Sequence, residues 1–454
     1  MGLEIGIGWL TLITFGSLAI LLMAGLPLAF VTGGLACIFL VLFGTWETIN
    51  VIPSRIFPMM TNYQLSAIPL FIFMASMLER AGVVEQLFDA IYRILGGLRG
   101  GLATSTIVAS TIMAAMAGVI GATEVTMGIL ALPAMLARGY DPKIACGSIL
   151  AGGTLGILIP PSILAILFAV VAQQSVGELF LGAVLPGLLL SGMYIVYVTV
   201  MSYLYPAKGP PLPPEERITV REKLLLLRNL IAPILLIMLV LGVIFSGIAT
   251  PVEAAGIGTF GALMVSALFR RLTWSAVRDA VITTLKATCM VLWIIFGATM
   301  FIAFYILEGG QEFVTAALVG SGLGPYGIIA VMMILLVVLG MFLDWVGILL
   351  LAVPIFVPIA KTLNFDGLFG LPGVAPADVP LWFGVVYMVN MQMSFLSPPF
   401  GYALFYLKSV APAEVTMGII FRAAGPFLLL QLVGLVLCIL FPELILWLPR
   451  QVYG

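Results

Sequence analysis

The chain has 454 residues, of which 62% are hydrophobic and 9% charged, with a formal net charge of −1. Mean hydropathy is +1.23; soluble domains carry about 25% charged residues, so this composition excludes a soluble fold and describes an integral membrane protein. The near-zero charge gives no footing for nucleic acid, and the absence of histidine removes His-based zinc sites, Ser-His or Cys-His catalysis and a histidine proton relay.

The opening residues, Met1 to Trp9, lack the basic region of a cleavable signal peptide, so the first apolar run is read as a retained helix. Residues 5–44 hold two apolar segments that meet near Gly25-Leu26-Pro27. A loop over Trp46–Thr61 is expected to lead into a helix around Leu65–Leu78. Residues 83–95 alternate polar and apolar faces at helical spacing, which predicts a helix lying along the interface. The apolar stretch 98–137 is interrupted at Gly118-Val119-Ile120-Gly121-Ala122-Thr123-Glu124. Each half is short for a full crossing, so a re-entrant hairpin with its tip near Gly121–Glu124 is expected.

A broken span over 143–172 and a helix over 178–204 follow, then a Pro-rich linker, Pro206–Glu216. Spans are expected at 229–247, 252–268 and 287–307, with a second interfacial helix at 273–285. A second hairpin over 326–362 breaks at Gly340-Met341-Phe342-Leu343-Asp344; aligning Pro133 with Pro354 sets Thr123 opposite Asp344. A second broken span (380–409) and a last helix (419–448) complete the chain. Cys37, Cys146, Cys289 and Cys438 lie singly in apolar segments and read as small buried residues.

The most telling feature is that the broken segment occurs twice. Pro160-Pro161, at 156–168, superposes on Pro398-Pro399, at 394–406, and Ala165 falls on Ala403. Interrupted helices at matching places in two halves of a membrane protein point to a transporter's binding site. Lys208, Arg217, Arg221, Lys223, Arg228 and Arg270, Arg271, Arg278, Lys286 place two loops in the cytoplasm. Five crossings then separate the hairpins, so the hairpins enter from opposite faces and the repeats are inverted. The fold class expected is an all-α polytopic membrane protein of inverted repeats, with two re-entrant hairpins and two broken transmembrane helices. Its divisions are 1–97 (scaffold helices and first arm), 98–176 (first hairpin and broken helix), 177–325 (scaffold helices, linker, second arm), 326–412 (second hairpin and broken helix) and 413–454 (C-terminal helix).

Four stretches carry a family resemblance: Arg138-Gly139-Tyr140-Asp141; Ala151-Gly152-Gly153-Thr154 running on to Pro160-Pro161-Ser162; Ala249-Thr250-Pro251-Val252-Glu253-Ala254-Ala255; and Gly340 to Asp344. In this order they resemble the large membrane subunit, DctM type, of TRAP (tripartite ATP-independent periplasmic) transporters. The first hairpin departs from the Gly-Ser-Ser pattern of many sialate and C4-dicarboxylate members and looks more like the mannitol, chloroaromatic and 2-oxo or 2-hydroxy acid branch. The resemblance implies a multi-pass protein of the bacterial inner membrane and a DctP-type periplasmic binding protein that delivers an organic acid anion. It also implies a small four-helix DctQ-type subunit, a sodium gradient and an elevator motion.

On this reading Gly121, Thr123, Pro160, Pro161, Ser162, Ser397, Pro398 and Pro399 are substrate candidates, because a proline-started helix offers free N–H groups and a positive dipole end to a carboxylate. Gly153, Thr154, Gly340, Asp344, Asn390, Met393 and Ser394 are candidates for Na⁺, a hard cation that takes oxygen ligands. An ordinary proline kink competes with this reading, and its occurrence at two matching places weighs against that alternative. Asp344 is read first as a helix cap and second as a Na⁺ ligand, Glu124 equally as a cap or a water-exposed tip residue. Glu253 reads as a first-turn acid, and Phe400, Tyr402, Phe405 and Tyr406 as core packing. An intramembrane enzyme lacks its residues here: no histidine exists and Asp344 has no Gly-x-Gly-Asp partner. A channel and a stand-alone sodium–carboxylate carrier stand as rival functions.

Overall fold

The computed structural model describes residues 5–44, 46–118, 120–213, 215, 218–398 and 401–454. The described residues fold almost wholly into helices, and seven of these helices are long and apolar enough to cross a membrane. The N-terminal part comprises α1 (Ile7–Met23), α2 (Leu28–Leu42), α3 (Val51–Met60), α4 (Ala67–Arg80) and α5 (Val83–Leu95). The expected loop over Trp46–Thr61 is therefore a 3-10 turn at Trp46–Asn50 followed by α3, which bends into the next segment at 56°. Pro58 sits inside α3 without ending it.

Hairpin 1 is α6 (Gly101–Ala117) and α7 (Ile120–Ala137). Its tip comes earlier than expected. Gly118 takes a left-handed conformation (φ +59°) that closes α6, so Gly121–Glu124 lie in the first turns of α7. The first broken helix is α8 (Pro142–Thr154) and α9 (Ile163–Ala172), joined through a 3-10 turn at Leu155–Ile157. Then come α10 (Val176–Leu204), α11 (Val220–Phe245), α12 (Pro251–Leu268), α13 (Trp274–Leu307) and α14 (Gly310–Val319). Hairpin 2 is α15 (Pro325–Gly340) and α16 (Trp345–Thr362), and the second broken helix is α17 (Val379–Leu396) and α18 (Tyr402–Val410). The C-terminal element expected over 419–448 divides at Phe441-Pro442 into α19 (Met417–Leu440) and α20 (Glu443–Tyr453).

The segment 273–285 is not a separate interfacial helix, because no Gly or Pro stands between Trp274 and Phe296 to interrupt α13. The counterpart of α5 is instead α14. Both begin after a left-handed glycine, Gly82 (φ +68°) or Gly309 (φ +86°), and both carry a glutamate, Glu85 or Glu312, in the first turn. The hairpin register shifts as well. Starting α7 at Ile120 and α16 at Trp345 pairs Pro133 with Pro358 instead of Pro354, so Thr123 is not the counterpart of Asp344.

Packing sorts the helices into two groups. One is α2, α3, α4, α12 and α13, bound by contacts such as Gly33 on Gly297 and the Thr259 hydroxyl donating to Leu70 O (3.0 Å). The other gathers both hairpins and both broken helices. Helices α10 and α19 pack with it, whereas the sequence divisions count 177–325 as scaffold and set 413–454 apart. Small residues admit them: Gly147 lies against Phe427, Gly434 against Leu190, and Trp382 donates to Cys438 O (3.1 Å). Helix α17 is the centre of this group, with 94% of its span buried against 33% for α12. Cys146 and Cys438 are buried, whereas Cys37 and Cys289 are exposed on the apolar surface.

Main-chain bonds fix the orientation of the hairpins. Gly100 N donates to Gly209 O (2.9 Å) and Asp141 N to Lys208 O (3.0 Å), so the open end of hairpin 1 is strapped to the linker that carries Lys208, expected on the cytoplasmic side. The open end of hairpin 2 leads, through Asp378 and its ion pair with Arg450 (2.6 Å), to α20. Tyr453 on α20 donates to Ile244 O, at the end of α11 remote from that linker. The hairpins thus enter from opposite faces. A cysteine introduced at Lys208 should react with a membrane-impermeant maleimide only from the cytoplasmic side. One at Phe369, 93% exposed in the loop after hairpin 2, should react only from the other; labelling of both from one face contradicts the inverted arrangement.

Candidate functional site

Four discontinuities meet in the second group. Each hairpin packs its second arm on the half-helix of the opposite repeat: α7 lies on α18, and α16 lies on α9. Glycines allow the approach, since a Cβ on Gly121 would stand 3.3 Å from the Tyr406 ring and one on Gly118 would stand 2.6 Å from Pro161 O. Gly121 and Pro161 are thus brought to the junction of hairpin 1 with the two breaks.

At the first break Ser162 serves two backbone groups. Its hydroxyl donates to Ile157 O (2.5 Å) and accepts from Ala165 N (3.3 Å), capping α9. Pro160 and Pro161 form the turn ahead of it, buried inside the protein. At the second break Ser397 donates to Met393 O (2.7 Å), which engages that carbonyl, and Gly401 N closes the turn on Ser397 O (3.0 Å). Pro398 lies in this turn; Pro399 and Phe400 are outside the described residues.

The sodium candidates divide by what already holds them. Thr154 is engaged on both sides, donating to Ala151 O (2.9 Å) and accepting from Gln431 Nε2 (3.2 Å). Ser394 donates to Leu336 O (3.3 Å) and lies so close to Gly340 that a Cβ there would overlap it. Asn390 Nδ2 donates to Met333 O (3.1 Å), while its Oδ1 is buried without a partner among the described residues. Asp344 caps α16 by accepting from Val346 N (3.3 Å). Thr123 is buried within α7. Gly153 presses on Glu124, whose Cγ occupies the place a Cβ would take.

Glu124 is neither a cap nor exposed. It is fully buried, and neither carboxylate oxygen has a hydrogen-bond partner among the described residues. Gln392 is in the same condition at both ends of its amide. The aromatic stretch is likewise not core throughout. Phe405 and Tyr406 are 47% and 42% exposed, and Phe405 joins Tyr402, Met341, Phe342, Leu22 and Met23 around a cleft of about 570 Å³. At the entry to α12, Glu253 does more than complement the dipole, because Thr250 and Glu253 cap one another reciprocally. Gln431 escaped sequence reasoning, although a lone amide in the apolar run 427–440 is itself a signal of an interior partner.

The close approach at Gly153 is testable. Gly153→Ala should lower stability by roughly 2 kcal/mol, the cost of overpacking a filled interior, and abolish function with it. Gly192→Ala, on α10 with nothing within 4 Å, should be neutral or stabilise by about 0.5 kcal/mol. Equal melting temperatures for the two variants would contradict the packing described.

Comparison with known proteins agrees with this architecture. The chain is 31% identical over 405 residues to a C4-dicarboxylate TRAP transporter large permease protein of Pseudomonas aeruginosa, covering 89% of this chain and 90% of that one. It is 29% identical to a sialic acid TRAP transporter large permease of Vibrio cholerae, covering 96% and 97%. Among solved structures, the Alcanivorax borkumensis YdaH transporter shares the fold at a TM-score of 0.61 and 15% identity, over 96% of this chain and 99% of that one. Residues 15–444 match the family described as tripartite ATP-independent periplasmic transporter, DctM component. By that match the chain belongs to the DctM family of large TRAP transporter permeases, and it is a membrane transport subunit and no enzyme.

Proposed function

We propose that this chain imports an organic acid anion across the bacterial inner membrane in symport with Na⁺. A periplasmic binding protein delivers the anion, and a small four-helix membrane subunit braces the permease. The group of hairpins and broken helices moves as one body against α2, α3, α4, α12 and α13. The observation that carries this reading is the crossed packing of each hairpin arm on the other repeat's half-helix, which ties both breaks into one unit.

For the anion, the N-termini of α9 and α18 supply backbone N–H groups and the positive ends of two helix dipoles. For the cation, the buried Asn390 Oδ1, without a partner among the described residues, supports its choice as an oxygen ligand. Asn390, with carbonyls of the turn about Gly340, would hold Na⁺ at hairpin 2, and Thr154 contributes less because Gln431 and its own turn occupy its hydroxyl. Bound Na⁺ would add positive charge beside the substrate carboxylate.

Proteoliposomes holding the complete transporter should accumulate the anion only with an inward Na⁺ gradient and the binding protein present. Uptake by this chain without the binding protein would favour the stand-alone carrier, and non-saturating flux without Na⁺ would favour a channel. The motion has its own test at Thr126 on α7, whose hydroxyl donates to Glu79 on α4 (3.4 Å) across the boundary of the two groups. Joining Glu79→Cys and Thr126→Cys with a short thiol cross-linker should stop uptake, and reductive release should restore it. Uptake that survives complete cross-linking sinks the moving-body proposal.

A further inference from the structure

We propose that Glu124 is the anionic ligand of a Na⁺ site in hairpin 1, completed by the Ser110 hydroxyl and the C-terminal end of α8. The proposal rests on the sodium-coupled reading above and adds to the Na⁺ place at Asn390 a second one, in hairpin 1, that carries a charged ligand.

A carboxylate in the interior is costly unless it meets a cation or hydrogen-bond donors. Asp344 solves the problem with the N-terminus of α16, but Glu124 has no such donor at either oxygen among the described residues. The described ion pairs of the chain lie at its surface: Arg80–Asp279, Arg93–Asp89, Arg450–Asp378 and Arg450–Glu443. No described basic side chain pairs with Glu124. Ser110 Oγ, on the facing arm of the same hairpin, is also buried without a partner among the described residues.

These two groups meet α8 at consecutive residues. A Cβ on Gly152 would stand 2.8 Å from Ser110 Oγ, and one on Gly153 would stand 3.0 Å from Glu124 Oε1. Helix α8 ends one residue later, at Thr154, so the negative pole of its dipole adds to the same corner. One carboxylate, one hydroxyl and a helix C-terminus suit a single positive charge. A divalent site would gather several carboxylates, and no cluster of three acidic, Cys or His residues exists among the described residues.

The test uses the purified transporter in lipid nanodiscs, with NaCl exchanged for choline chloride at constant ionic strength. Thermal melting gives the apparent Na⁺ affinity, and equilibrium binding of radioactive Na⁺ gives the stoichiometry. Wild type should be stabilised saturably by Na⁺. Glu124→Gln should lose about tenfold or more in affinity, or one bound ion, while melting in choline no lower than wild type. Ser110→Ala should weaken binding several-fold. Glu124→Gln with unchanged affinity and stoichiometry, in a folded protein, overturns the assignment and marks Glu124 as a neutral, protonated side chain. Should Glu124→Gln fail to fold, Glu124→Asp replaces it, and unchanged Na⁺ affinity in both Glu124→Asp and Ser110→Ala is the overturning result. Wild type without any Na⁺ response is a separate failure, that of sodium coupling itself.

Discussion

The constraint that governs this molecule is that every break in a helix at bilayer depth frees backbone groups that lipid cannot satisfy. The chain opens four such breaks and closes each from within. Ser162 takes Ile157 O and Ala165 N, Ser397 takes Met393 O, Asp344 takes Val346 N, and Gly118 turns its own N–H back to Ala114 O. Capping alone leaves the breaks exposed to the hydrocarbon. The crossed packing of α7 on α18 and of α16 on α9 completes the isolation, and it is why α17, at the centre, is almost entirely enclosed. Inside that enclosure Glu124, Ser110, Asn390 and Gln392, along with the Tyr194 and Tyr387 hydroxyls and Gln431 Oε1, keep polar atoms without a partner among the described residues.

The two repeats are alike in path and unlike in chemistry. Hairpin 2 places its acid at the N-cap, where amide hydrogens absorb the charge. Hairpin 1 places its acid inside α7, with a glycine of α8 hollowed out to receive it. Such asymmetry is what the proposed symport would need, since identical halves would offer identical ligands to solute and cation.

Much of the fold was legible in the sequence, because hydropathy, paired prolines and the placement of basic residues report directly on burial and topology. The two proline pairs located both breaks, and 83–95 matched α5 to the residue. Other features were not legible. The interfacial pattern of 273–285 and the apolar run 287–307 are one helix, since periodicity does not reveal that two segments share a rod. The tip of hairpin 1 depended on the handedness of Gly118, and Pro133 had two possible counterparts, Pro354 and Pro358, of which only helix starts select one. Contacts such as Gln431 with Thr154, 277 positions apart, leave no local pattern. Glu124 was conspicuous as a residue, yet its lack of partners is a property of the folded interior alone.

Helix α13 offers a last consequence. Its 34 residues make a rod of about 51 Å, against a hydrocarbon layer of about 30 Å. The stretch 287–307 alone is long enough for that layer, which leaves the first third, with the 82% exposed Trp274 and with Arg278, Asp279 and Lys286, to extend beyond it at the level of the headgroups. Arg80 clasps it there through Asp279 and Thr283. A rod held in this way is tied to α4 near its first third. Its length exceeds the hydrocarbon layer by about 20 Å, so a thicker or thinner bilayer would change how much of its charged first third is wetted.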